Sequence, residues 1–212
     1  MTAEHNARAT DNPGPGAGSA TRSRESATTL SDGSRTNKAD LRIVAYGEVE
    51  EASAVIGLAI SLGIDLSESL IVLLSRVQND LFDLGADLCT PVVGQASSTV
   101  LRVDDGYIAR LERACDHFNA DLPVLSSSAI PGGTATAALL HHARTVVRRA
   151  ERATAQASQN FGDTMNPALG AYLNRLSSLL LILARGANAE HGDMLWQPGL
   201  STTCHELWET GW

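Results

Sequence analysis

Apolar residues recur at steps of three and four through most of the chain, beginning with Ala45, Val49, Ala52, Ile56, Ala59 and Gly63. That spacing lines one face of an amphipathic helix over about 40–62. A second stripe, Leu70, Leu74, Val77, Leu81, Leu84 and Leu88, follows Asp65 and Ser67, either of which can cap a helix, and Thr90-Pro91 closes it. Asp104 opens a third helix with Tyr107, Leu111, Ala114 and Phe118 inward, stopped before Pro123. The turn Ile130-Pro131-Gly132-Gly133 feeds a long fourth helix over about 134–159. A fifth, about 167–189, keeps Leu169, Leu173, Leu176, Leu180, Leu183 and Ala187 in register. Five helices with short connections predict an all-α protein, a five-helix antiparallel bundle. No strand-like alternation competes with it.

The pattern is missing at both ends. Residues 1–31 are rich in Ala, Thr, Ser, Gly and Arg, and Asn12-Pro13-Gly14-Pro15-Gly16 holds neither helix nor strand, so this stretch reads as a disordered extension. Residues 32–199 form the bundle domain, and 200–212 a C-terminal tail. From Gly192 onward the chain carries Trp196, Trp208 and Trp212 without a clear period.

Composition narrows the picture further. Hydrophobic residues make up 43% of the chain but aromatics only 4%, so the core is built from Leu, Ile, Val and Ala, which suits packed helices better than a sandwich. A net charge of −8 argues against a dedicated nucleic-acid binder. Cys89, Cys115 and Cys204 are far apart and support neither a zinc site nor a disulfide framework. The longest apolar run, Leu179 to Ala184, is too short to span a bilayer, and no signal peptide opens the chain. The expectation is a soluble protein of a reducing compartment, the cytoplasm.

Candidate chemistry lies on the fourth helix. His141, Arg144, Arg148, Glu151 and Ala155 follow one face, and Arg149 and Arg152 widen the cationic stripe. This is either a solvated face with internal Glu–Arg pairs or an anion site. Arginine forks suit phosphate oxygens, and the Gly132-Gly133 turn supplies a helix N-terminus that also favours anions. On the fifth helix Asn174, Arg175, Ser177, Ser178, Arg185 and Asn188 interrupt an apolar run, and they either tie helices together or face a ligand. Glu48, Glu50 and Glu51 on the first helix offer a carboxylate to Arg144, within the chain or between subunits. A di-iron bundle needs Glu-x-x-His pairs, and none occurs. Neither a GxxxxGK[ST] phosphate loop nor a Gly-x-Ser-x-Gly elbow is present.

Several segments together resemble the PduO-type corrinoid adenosyltransferases, which make adenosylcobalamin from ATP and cob(I)alamin. They are Lys38 to Glu51, Gln78 to Leu88, Pro131-Gly-Gly133 with Leu140 to Arg152, and Tyr172-Leu-Asn-Arg-Leu-Ser177 with Leu183-Ala-Arg185, Ala187-Asn188 and Leu195-Trp-Gln-Pro-Gly199. The resemblance implies a ferritin-like homotrimer of five-helix bundles with ATP, its Mg²⁺ and cobalamin bound between neighbouring subunits. It implies that Arg148, Glu151 and Asn174 belong to the nucleotide site, with Arg148 and Asn174 catalytic. It further implies that Lys38 and the N-terminal loop, Thr21, Arg22 and Ser23, hold the triphosphate. Arg144 pairs with Glu50 across the subunit boundary, and an aromatic before the Pro-Gly-Gly turn displaces the lower ligand of cobalt. The other expected partner is an adenosylcobalamin-dependent enzyme; nucleic acid and membrane are not expected.

Departures from the family pattern cluster at that site. Arg24 and Ala27 stand where the loop carries glycines, Glu50 and Ser178 where aspartates are usual, and corrinoid-facing Ser128 where the aromatic belongs. A hydroxymethyl cannot fill an aromatic's space. Three readings share these residues: an adenosyltransferase with altered corrinoid handling, a repurposed paralogue binding ATP or another anion, and a non-catalytic corrinoid carrier.

Overall fold

All five stripes fold as helices, and side-chain caps explain where most of them start. The computed structural model describes residues 26–31, 33–92 and 100–200. Helix α1 spans Leu41–Leu62, α2 Glu68–Leu88, α3 Asp105–Asn119, α4 Ala135–Phe161 and α5 Ala168–Ala187. Asp40, Ser67, Asp104 and Thr134 each accept a backbone N–H of the first turn they precede, satisfying donors the helix leaves open. Between the two cap candidates before α2, Ser67 is the one used. Asp65 instead takes a left-handed φ of 60° in the connecting turn. Pro167 precedes α5, where its missing N–H costs nothing. Gly162 ends α4 at φ 55° and leads into a short 3-10 turn.

Helix α4 lies between α1 and α5; α2 packs outside α1, and α3 outside α5. The seam between α1 and α4 is lined by small residues. Ala45, Ala52 and Ala59 on one helix and Ala143, Ala150 and Ala157 on the other are fully buried, each set stepping by seven. Small side chains let helix axes approach closely. Larger residues fill the other seams: Leu74, Leu81, Leu84 and Leu88 from α2, and Leu169, Leu173, Leu176 and Leu180 from α5.

Buried polar groups close the ring of helices. Asp80 of α2 accepts from Arg110 Nη2 of α3 at 2.9 and 3.0 Å and from the Tyr172 hydroxyl of α5 at 3.0 Å. Burial and the Asp80 charge push the Tyr172 hydroxyl well above its ordinary pKa, so it stays a donor. Asp87 pairs with Arg102, accepts the Val103 N–H at 2.9 Å and the Asn166 amide at 2.7 Å. These contacts pin the α2–α3 connection to the start of α5.

One feature was not legible in the periodicity. Strands β1, Ala27–Thr29, and β2, Arg35–Asn37, pair antiparallel, with Ala27 opposite Asn37. Residues 27–29 of this hairpin lie inside the stretch that the sequence marks as extension. Three-residue strands are too short to show an alternation. The hairpin is anchored from outside: Ser31 N–H donates to the Cys89 carbonyl at 3.1 Å, and Thr36 Oγ1 to Asp40 at 2.6 Å. No helix among the described residues is long and apolar enough to cross a membrane.

Leu176 is fully buried at the centre of α5. Leu176→Ala is expected to destabilise the fold by about 2–5 kcal/mol through lost transfer energy and a residual cavity. Chemical denaturation with an unchanged m-value checks this, and a loss under about 1 kcal/mol contradicts the packing assigned here.

Candidate active site

The arginines of α4 divide between two environments. Arg149 faces α1 and pairs with Glu48 and Glu51, whose carboxylates raise its pKa still further. Arg144 and Arg148 lie on another face and have no carboxylate partner among the described residues. Arg144 Nε is out of contact with solvent and has no hydrogen-bond acceptor. Burial, reinforced by Arg148 one turn away, lowers the Arg144 pKa. Two cations so placed create a site that an anion stabilises. One turn beyond Arg148, Glu151 accepts from Asn174 Nδ2 of α5 at 2.8 Å. The Asn174 carbonyl in turn accepts from Ser177 Oγ at 2.8 Å and Ser178 Oγ at 3.4 Å. Arg175 points away to Glu112 of α3 at 3.4 Å, a helix-to-helix tie.

Two expectations about the stripe need correction. His141 is not part of the cationic surface: it is 1% exposed, and burial and Arg144 lower its pKa against an opposing pull from Asp193. Nor does the N-terminus of α4 share an anion with Arg148. Arg148 is thirteen residues from either end of α4, about 20 Å of helix. Two of the donors at that end are also already used. Thr134 N–H donates to Asn188 Oδ1 at 3.0 Å, and Ala137 N–H to Thr134 Oγ1 at 3.1 Å.

The turn before α4 is fixed by the end of α5. Asn188 Nδ2 donates to the Gly132 carbonyl at 3.1 Å, and a Cβ on Gly133 would stand 2.2 Å from Asn188 Oδ1. Gly133, at φ 98°, is therefore glycine for both backbone and contact reasons. Arg185 pairs with Asp193 at 3.0 Å, holding the segment after α5. That segment runs antiparallel to residues 128–130: Ala129 bridges Leu195, Ile130 N–H donates to the Met194 carbonyl, and Trp196 N–H to the Ser128 carbonyl, both at 2.8 Å. Beside this ribbon is a cleft of about 480 Å³ lined by Leu125, Ser126, Ser127, Ser128, Ala129, Arg144 and Leu181.

The chain thus brings Arg144, Arg148, Glu151 and Asn174 onto one α4–α5 face, with Ser128 and Arg144 in the adjoining cleft. It does not bring every expected residue there. Lys38 lies between β2 and α1, at the end of the bundle where Arg42 of α1 donates to Thr164 beyond α4. Glu50 lies on the exposed side of α1, beside Tyr46 and Phe82, with no ion-pair partner among the described residues. Thr21, Arg22, Ser23 and Arg24 lie outside the described residues. Ala27 sits in β1, opposite Asn37.

Comparison with known proteins decides the family. The cobalamin adenosyltransferase family profile matches residues 20–187. This chain belongs to the cobalamin adenosyltransferase family. It is 49% identical over 180 residues to a corrinoid adenosyltransferase of Mycobacterium tuberculosis, covering 84% of this chain and 92% of that one. A cobalamin adenosyltransferase of Cupriavidus metallidurans is 44% identical over 181 residues, covering 84% and 93%. Among solved structures, a variant PduO-type ATP:corrinoid adenosyltransferase from Lactobacillus reuteri, complexed with cobalamin and ATP, superposes with a TM-score of 0.73 at 33% identity. The match covers 81% of this chain and 94% of that one.

Within an adenosyltransferase fold, the α4–α5 face offers a guanidinium fork for phosphate oxygens at Arg148. Beside it Glu151 and Asn174 offer an acceptor and an amide for hydroxyl or amino groups. No cluster of three or more metal-ligating side chains occurs among the described residues. A Mg²⁺ carried on a triphosphate fits such a face, since that ion usually takes few protein ligands and keeps water and phosphate oxygens.

His141 makes the fold acid-sensitive. Its pKa is lowered in the folded chain, so below about pH 6.5 the unfolded chain binds a proton that the folded chain does not. Stability falls as pH drops through that value, and the loss ends only below the folded pKa. Melting temperatures at about pH 7.5 and about pH 5.5 should differ more for the native chain than for His141→Leu; equal differences would remove His141 as the cause.

Proposed function

We propose that this chain is an ATP-dependent corrinoid adenosyltransferase, moving the 5′-deoxyadenosyl group of ATP to cob(I)alamin and releasing triphosphate. The observation that carries the reading is the Arg144–Arg148 pair, without a carboxylate partner among the described residues, its Arg144 Nε buried without an acceptor, adjoining the Glu151–Asn174 bond within the region that matches the family. Cobalt is the nucleophile, so the chain needs no Ser, Cys or His nucleophile. Its tasks are to hold C5′ in line with the metal and to stabilise a highly charged leaving group. Arg148 serves the second task with Lys38, Thr21, Arg22 and Ser23. Asn174 and Glu151 serve the first by fixing the nucleoside. Ser128 and the cleft beside it face the corrinoid.

The working form is a homotrimer. Within one chain Lys38 is at one end of the bundle, whereas Arg148 is midway along α4. Glu50 is exposed beside Phe82, whose ring is 68% exposed, and Arg144 Nε is buried without an acceptor. A neighbouring subunit that brings Glu50 to Arg144 satisfies both charges, covers an apolar ring, and sets an N-terminal segment against the Arg148 face. The product suits delivery to an adenosylcobalamin-dependent enzyme. Free Cys89 and Cys115 fit a reducing cytoplasm.

The direct test is anaerobic incubation with chemically reduced cob(I)alamin and MgATP, with chromatography for adenosylcobalamin and triphosphate. Both products are expected at an enzymatic rate, with Arg148→Ala at least about 100-fold slower. A folded, ATP-binding protein that forms neither product would overturn the reading in favour of a repurposed paralogue or corrinoid carrier.

Assembly is tested separately. Arg144→Glu should weaken the trimer by about 2–5 kcal/mol per contact, and the double variant Glu50→Arg/Arg144→Glu should recover it. Light scattering reads the outcome. A trimer indifferent to Arg144→Glu would place the pair elsewhere.

A further inference from the structure

We infer that the cavity between the α1–α2 turn and the ends of α3 and α5 is a binding site for a cationic amphiphile, a small molecule with an apolar body and an ammonium head. None of its lining residues belongs to the Arg148 face or to the cleft beside Ser128, so the site is independent of the reaction proposed above.

The cavity follows from how the outer helices are tied. Asp80 of α2 meets Arg110 of α3, and Asp83 meets Tyr107, so the two helices run antiparallel. Asp87 and Arg102 fix the connection between them. Beyond that end, no hydrogen bond or ion pair among the described residues joins the first turns of α2 to the last turn of α3. The untied end leaves Leu70 of α2 and Phe118 of α3 as walls of a cavity of about 640 Å³. Small-molecule sites usually enclose about 300–1,000 Å³. Leu140 of α4 and Leu183 of α5 are buried at its floor. On α5, Ile182 borders this cavity while Leu181 borders the cleft beside Ser128, which puts the two on different sides of the helix.

Polarity is sorted by depth. The two hydroxyls inside are already used. Thr136 Oγ1 donates to the Ile64 carbonyl at 2.7 Å and accepts the Ile64 N–H at 2.8 Å. Thr134 Oγ1 donates to the Ala187 carbonyl at 3.2 Å and accepts the Ala137 N–H. The body of an occupant therefore meets apolar side chains and no free hydroxyl. The rim differs. Asp65 and Glu190 are exposed there, and neither carboxylate has a donor or cation among the described residues. His191 is the other ionisable group at the rim, and no Lys or Arg is among the described residues lining the cavity. The starts of α2 and α4 and the ends of α3 and α5 all meet here, so their dipoles oppose one another and the side chains set the sign. An acidic rim over an apolar floor is complementary to an ammonium group carried on a hydrocarbon.

Gly186 gives a way to close the site. It borders the cavity one turn from Ile182 and Leu183, and a Cβ built on it meets nothing within 4 Å. A larger side chain there occupies the opening without displacing the backbone.

Isothermal titration calorimetry of the full chain at about pH 8, where histidine is ordinarily uncharged, tests the site with octylamine, octan-1-ol and octyl sulfate as probes. One octylamine per chain is expected, bound about three- to tenfold more tightly than octan-1-ol, with octyl sulfate weaker than both. Asp65→Asn/Glu190→Gln should bring octylamine down to the affinity of octan-1-ol and change the alcohol by less than about twofold. Gly186→Phe, with its fold checked by melting temperature, should abolish binding of both. If that variant does not fold, the rim variant at two exposed positions still decides the outcome. A native chain that does not bind octylamine overturns the proposal. So does equal affinity for amine and alcohol, or an amine preference that survives the rim variant. Binding unaffected by a folded Gly186→Phe puts the probe elsewhere on the chain and overturns it as well.

Discussion

Arg144 and Arg148 stand one turn apart on α4, and the described chain presents no carboxylate to either. With Arg144 Nε shut off from solvent and unpaired, and with its pKa lowered by burial and by Arg148, the helix carries a local excess of positive charge that packing alone cannot relieve. A guanidinium nitrogen desolvated without an acceptor favours an anion brought up to it. The contrast is Arg149 on the same helix, which two α1 carboxylates satisfy. One arginine is therefore satisfied within the chain, and the other two are left without a carboxylate among the described residues.

That readiness depends on α4 staying where it is. Alanines stepping by seven on α1 and α4 permit close packing on one side, and a leucine-rich seam with α5 closes the other. Asn174 meets Glu151 because α4 and α5 are locked together along their length. At the opposite end of α5, Asn188 and Arg185 hold the Pro-Gly-Gly turn and the segment around Asp193. Polar residues of α5 and its cap thus tie Glu151 of α4, the Pro-Gly-Gly turn and the segment around Asp193 to one helix. The loops near Ser128 are positioned by a rigid scaffold, an arrangement often found around binding sites.

Legibility differed sharply between helices and site. The helix stripes were readable because a 3.6-residue period repeated over three or more turns leaves little ambiguity, and residues such as Ser67 and Asp104 marked the starts. The family resemblance picked out Arg148, Glu151 and Asn174, and the fold brings those three onto one face. His141 was misread because spacing reports which face a residue shares, whereas its charge depends on what covers that face. The helix N-terminus was misread because sequence proximity of Gly133 to α4 says nothing of the 20 Å of helix separating it from Arg148. The ribbon between 128–130 and 194–196 gave no signal, since pairing over so few residues arises from distant segments meeting rather than from local alternation.

The sequence by itself determined the class of fold, the five helices and the identity of the ionisable groups on each. These follow from local periodicity, capping chemistry and residue type, all of which act within a few turns of chain. Tertiary structure alone decided which arginine was already satisfied, which histidine was buried uncharged, and which exposed tryptophan stood opposite Ser128. Those outcomes depend on desolvation and on contacts between residues as far apart as Glu48 and Arg149, or Ser128 and Trp196. No periodicity encodes such distances, because they exist only after the helices have packed.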